Sequence, residues 1–159
     1  MRGLLLIVLG TAALGTGCGP AGAPLVGGGS ETVALTVEPV ARWRELRLEG
    51  TTDLPDGAVV TYHVTHAVAT ELPPDEWPAG NLMTDGTAVV QEGRFWAALN
   101  TTYWPAGAVQ VRVRFPVAPQ PETVRTRYGD FGERLTGDNV VALGGSNVVT
   151  AEQTIEWTR

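Results

Sequence analysis

The chain has 159 residues, 18% of them charged, with 20 glycines, 11 prolines, one cysteine and a net charge of −6. That length fits one domain with or without a tail. The acidic balance and the absence of lysine exclude the basic face of a nucleic-acid binder, and the single cysteine excludes an intrachain disulfide or a cysteine zinc cluster.

The N-terminal segment reads as an export signal. Arg2 precedes an apolar run from Leu4 to Leu14, 11 residues interrupted only by Gly10 and Thr11. At about 1.5 Å per residue such a run is too short for a hydrocarbon core of about 30 Å, but it suits the h-region of a signal peptide. Gly15-Thr16-Gly17 and then Cys18 follow, with the branched Leu14 just before them. This segment resembles the lipobox of bacterial lipoproteins. The resemblance implies that residues 1–17 are cleaved and that the Cys18 thiol is diacylated, with the new amine usually acylated too. Two or three acyl chains anchor stably where one is marginal. Ordinary cleavage at Ala13-Leu14-Gly15 or Ala21-Gly22-Ala23 is the alternative. The resemblance also implies a cell-envelope location. Gly19 is not the Asp that retains such proteins in an inner membrane, so the outer membrane or cell surface is favoured.

Residues 18–31 then read as anchor and tether. Gly19 to Glu31, GPAGAPLVGGGSE, is rich in Gly, Pro and Ala and has no periodicity, as a flexible linker should. Extended, it reaches about 45 Å; its root-mean-square span is about 20 Å.

From Thr32 to Arg159 the pattern has period two, with strands expected near 32–38, 43–50, 57–70, 86–91, 94–99, 107–115, 122–128, 139–143 and 147–157. Leu46 and Leu48 alternate with Arg47 and Glu49. Val109, Val111, Val113 and Phe115 alternate with Gln110, Arg112 and Arg114. Turn signals punctuate the runs: Leu54-Pro55-Asp56-Gly57 as a type I turn, Glu92-Gly93 as a tight hairpin, Gly137-Asp138-Asn139, and Gly144-Gly145-Ser146-Asn147. The expected fold is all-β, an antiparallel two-sheet sandwich over 32–159, with a small barrel as the alternative. Residues 122–128 read as an edge strand carrying Arg125 and Arg127 on one face.

Leu48-Glu49-Gly50-Thr51-Thr52-Asp53-Leu54-Pro55-Asp56-Gly57-Ala58-Val59-Val60 resembles the second and third strands of bacterial immunoglobulin-like or fibronectin-III-like envelope domains. Gly93-Arg94-Phe95 and Pro105 to Val111 are similar to their later hairpin and penultimate strand. The likeness spans roughly residues 45–115. It implies a scaffold or binding module and transfers no functional residue.

Catalytic signatures are sparse. His63 and His66, three apart on a strand, point to opposite faces, one packed and one exposed. The serines, Ser30 and Ser146, lie in the tether and in a glycine turn. No phosphate loop is possible without lysine, and no motif asks for a cofactor. Acids cluster as Glu71, Asp75, Glu76 and Asp85, and again as Asp130, Glu133 and Asp138. Neither group has calcium-loop spacing. Aromatics in loops carry more promise. Trp77 lies in the proline-rich stretch 71–86, and Tyr103 and Trp104 lie together in another loop, where exposed rings grip sugars or peptides. Trp96 is expected outward and Trp157 in the core. The expected function is a non-catalytic protein-binding or structural module, lipid-anchored in the envelope. One alternative is glycan binding by Trp77, Trp104 and Tyr103. The other is a small metal-dependent hydrolase using Asp75, Asp85 and Asp130. The partners expected are the membrane, through the anchor, and an envelope protein or glycan.

Overall fold

The computed structural model describes residues 29–158, and Cys18 with the leader lies outside them. Eight strands are formed: β1 Glu38–Arg42, β2 Glu45–Thr51, β3 Val59–His66, β4 Met83–Val89, β5 Arg94–Asn100, β6 Gly107–Phe115, β7 Val140–Leu143 and β8 Ser146–Trp157. They make two antiparallel sheets, β1-β2-β5 and β4-β3-β6-β8-β7. β1, β2 and β5 take the A, B and E places of an immunoglobulin-like sandwich; β3, β6 and β8 take C, F and G, with β4 beside β3. The sheets stay separate, so the barrel alternative falls. β4 and β5 are joined by only four residues, Val90 to Gly93, yet pair in different sheets.

The alternating pattern places the core. Leu46 and Leu48 on β2, Val60 and Val64 on β3, and Val109, Val111, Val113 and Phe115 on β6 are all buried between the sheets. Period-two burial is what a sheet with one wet face requires. Trp157 is buried and Trp96 exposed, as their alternation demands. A cross-strand ring explains one glycine: Phe95 on β5 stands opposite Gly50 on β2, and a Cβ on Gly50 would sit 2.0 Å from that ring. At the β4–β5 turn, Gln91 and Arg94 exchange backbone hydrogen bonds around Glu92 (φ 51°) and Gly93 (φ 70°). Two positive φ values define a type I′ turn, whose twist suits flanking strands.

Four local expectations are corrected. Residues 122–128 form a helix, α2 Glu122–Tyr128, not an edge strand. Val124 and Tyr128, four apart, are both buried, and Tyr128 meets Phe115 edge-on at 5.3 Å. That shared face is a helical stripe. Pro121 opens the helix and Gly129 (φ 91°) ends it. Arg125 and Arg127, two apart, therefore diverge. Residues 32–37 bury Val33, Leu35 and Val37 in alternation but make one isolated bridge, Leu35 to Thr52, just after the bridge from Glu31 to Leu135. The ladder begins at Glu38, so Trp43 lies in the β1–β2 turn rather than in a strand. The run from 57 stops at His66, and Val68–Glu71 coils into one helical turn, α1. In the Pro55 turn, Ala58 N–H donates to Pro55 O at 3.1 Å across Gly57 with φ 85°. A positive φ at the third position is the type II signature, one residue later than expected.

The strands give the body two distinct ends. At one end lie Glu31, α2, the β2–β3 and β4–β5 turns and the Gly144-Gly145 turn. The body takes hold of the chain there: Glu31 N–H donates to Arg134 O, Thr136 N–H donates to Glu31 O, and Arg127 places Nε and Nη2 on the Glu31 carboxylate at 3.1 and 3.0 Å. That hydrogen bond, above all, raises the Arg127 pKa above its ordinary value. At the other end lie the β1–β2 turn, the β3–β4 connection, the β5–β6 loop and the end of β8. Nine residues of β6 separate the two ends, about 30 Å at strand rise. Among the described residues, no helix is long and apolar enough to cross a membrane.

Candidate ligand-binding site

Four of the five tryptophans, Trp43, Trp77, Trp104 and Trp157, gather at the end remote from Glu31. The tight β1–β2 turn forces Trp43 out, 82% exposed. The Arg44 guanidinium lies over its ring, 4.1 Å from the centroid, in cation–π contact. Arg44 itself adopts φ 60°, uncommon for a side-chain-bearing residue, and its carbonyl accepts the Thr101 N–H at 3.0 Å. The turn and the β5–β6 loop are thereby held together.

Between them opens a cleft of about 400 Å³, walled by Arg42, Trp43 and Arg44 on one side and by Thr101, Thr102 and Thr158 on the other. Trp104 and Trp157 form its floor, their rings edge-to-face at 5.8 Å. Among the described residues no carboxylate lines it, although the whole chain is acidic. Arg42 has a long ion pair with Glu49 at 3.8 Å, while Arg44 has none among the described residues. Thr101 is 3% exposed, and its hydroxyl has no hydrogen-bond partner among the described residues. A buried hydroxyl without a partner is costly and calls for an explanation.

The aromatic residues singled out in the sequence meet different fates. Trp104 is a correction: it is 1% exposed rather than presented to solvent. Its indole N–H donates to Asn81 Oδ1 at 2.9 Å, and Asn81 Nδ2 donates to Asn100 O, stitching the β3–β4 connection to the β5–β6 loop. Trp77 is half-buried against the core, and its N–H donates to Leu72 O at 2.9 Å. The stretch 71–86 is accordingly ordered, with a 3-10 turn at Pro74–Glu76 and β4 beginning at Met83. Tyr103 is exposed. Trp43, to which sequence reasoning gave no role, is the ring that frames the cleft. Its signal was present in Arg42-Trp43-Arg44, an aromatic between two cations ahead of an alternating run.

The histidines separate as expected. His66 is buried, with Nε2–H donating to Pro105 O and Nδ1 accepting from Val68 N–H, and it meets Trp104 edge-on at 5.6 Å. His63, on the outer face, lies between Asp85 (Nδ1 to Oδ1, 2.6 Å) and the Thr65 hydroxyl (Nε2 to Oγ1, 2.8 Å). A hydroxyl, an imidazole and a carboxylate in that order are the parts of a nucleophile relay. β3, however, is an interior strand paired on both sides, so its amides are engaged in the ladders rather than free for an oxyanion. The row runs on through Arg112 to Glu152, in register across four strands. The opposite charges of Arg112 and Glu152, side by side on neighbouring strands, stabilise the sheet face.

The three acids of the hydrolase alternative do not come together. Asp75 is in the 3-10 turn at the cleft end, Asp85 is beside His63, and Asp130 pairs with Arg125 at the Glu31 end. Among the described residues, no group of three or more His, Cys, Asp or Glu is placed to hold a metal ion. No protein-family model matches the chain, and no curated protein matches it.

Proposed function

We infer that this is an exported, lipid-anchored envelope protein whose immunoglobulin-like body is a non-catalytic binding module. The anchor is Cys18, and the ligand enters the aromatic cleft at Trp43. One observation carries the reading. The chain enters the body at Glu31, and the cleft with its exposed aromatic ring lies at the opposite end, about 30 Å away along β6. A body tethered through residues 18–31 then holds its cleft away from the membrane, where a partner can reach it. Exposed tryptophan beside arginine is a common anchor in binding surfaces.

Labelled palmitate should enter the full chain and not the Cys18→Ala variant, and that variant should leave the membrane fraction. A Cys18→Ala protein still held in the membrane would end the anchored reading.

A second reading, strand addition by a protein partner, has its own observation. β7 covers β8 only as far as Val149, so the outer edge from Ala151 to Trp157 has no strand beside it among the described residues. Open edges of that kind accept a further strand. Backbone amides facing outward there would exchange freely in the isolated protein and become protected with a partner bound.

A further inference from the structure

We propose that the cleft at Trp43 takes a carboxylate-bearing sugar, a uronic-acid unit of an anionic glycan. This rests on the reading of the body as a binding module and names the ligand class for the same site.

Three features of the cleft point to that chemistry. The first is charge. Among the described residues the lining carries two guanidinium groups and no carboxylate, on a chain with net charge −6. Arg44 is held in place by its ring contact with Trp43 and by the Arg44–Thr101 backbone bond, and it has no ion pair among the described residues. A fixed cation of this kind suits one carboxylate, because guanidinium pairs with it in a planar, directional way. The second is the ring. Arg44 covers one face of Trp43, and at 82% exposure the other face is open to solvent. A flat apolar surface beside polar groups suits the C–H face of a pyranose, which is apolar on its face and polar at its rim. The third is Thr102. Its half-buried hydroxyl lines the cleft and donates to Asn100 Oδ1 at 2.6 Å, which leaves its oxygen able to accept from a sugar hydroxyl. Hydroxyl, arginine and open indole together select an anionic sugar over an apolar peptide side chain, which would leave the guanidinium unpaired. They also select it over an inorganic anion, which would leave the ring unused.

The test uses the full chain in detergent micelles, titrated by calorimetry with oligogalacturonate and with its methyl ester. The ester has the same rings and lacks the charge. The acid form should bind and the ester should bind about tenfold or more weakly, as expected for loss of a charge-assisted hydrogen bond. Arg44→Gln should bring the acid form down to the level of the ester, and Trp43→Ala should abolish both. Thr102→Val should weaken binding by about fivefold, while Thr102→Ser, which keeps the hydroxyl, should bind as the parent does. A merely structural threonine would lose stability and leave binding intact. Equal binding of acid and ester, or binding of neither, would overturn the proposal. The anchored-module reading would be untouched by that result, since it is decided separately by palmitate incorporation at Cys18.

Discussion

Trp43 and Trp104 border the same cleft and do opposite things. Trp104 is buried, donates its indole N–H to Asn81, and lies edge-on to His66 and Trp157. Removing a ring so placed leaves a cavity and an orphaned amide oxygen. Trp104→Ala should therefore cost about 3–5 kcal/mol of folding stability. Trp43 is 82% exposed with its ring against Arg44, so Trp43→Ala should stay within about 0.5 kcal/mol of the parent. Urea unfolding followed by circular dichroism separates them. Equal losses would mean that Trp43 is part of the fold rather than of a binding surface. Composition and neighbours suggested that Trp104, next to Tyr103 and ahead of Pro105, was a loop aromatic facing solvent. Its partner Asn81 lies 23 residues away, and no local pattern signals that bond.

At the scale of elements, strands with one wet face were legible and α2 was not. Val109 to Phe115 alternates cleanly, and every second residue is buried. Thr123-Val124-Arg125-Thr126-Arg127-Tyr128 alternates as well, yet it coils, because Val124 and Tyr128 find a buried site beside Phe115. Tertiary packing overrides a weak propensity. Past α2 the chain is held by Glu133, whose carboxylate accepts the N–H of Phe131 at 3.0 Å. Backbone hydrogen bonds from Glu133 itself and from Phe131 lower its pKa below the ordinary 4.5. A depressed acid favours the folded loop above its unfolded pKa, and that contribution is lost as pH falls through the lowered value. Acidification should accordingly expose the Phe131 amide to exchange, as read by NMR, well before the sandwich unfolds. Glu133→Gln should remove this pH dependence. Protection that stays constant from neutral to acid pH in the parent would contradict the carboxylate's role.

For the molecule as a whole, the consequential fact is which ends are opposed. The grip on Glu31 and the Trp43 cleft stand at the two ends of β6. A fluorophore at Tyr103→Cys in the vesicle-anchored chain should transfer energy to surface acceptors less efficiently than one at Phe131→Cys. Equal transfer would mean that the body tumbles freely on its tether and does not present the cleft outward. The faces of the strands, the buried Trp157, the exposed Trp96 and the separation of His63 from His66 are legible in the chain, because each follows from a period of two along one strand. Tertiary structure alone decided that α2 is a helix, that Trp104 is a floor and Trp43 a wall, and that the cleft is cationic. Those properties depend on residues brought together from β1, β5, β6 and β8, and contact between distant segments is fixed by how the two sheets pack.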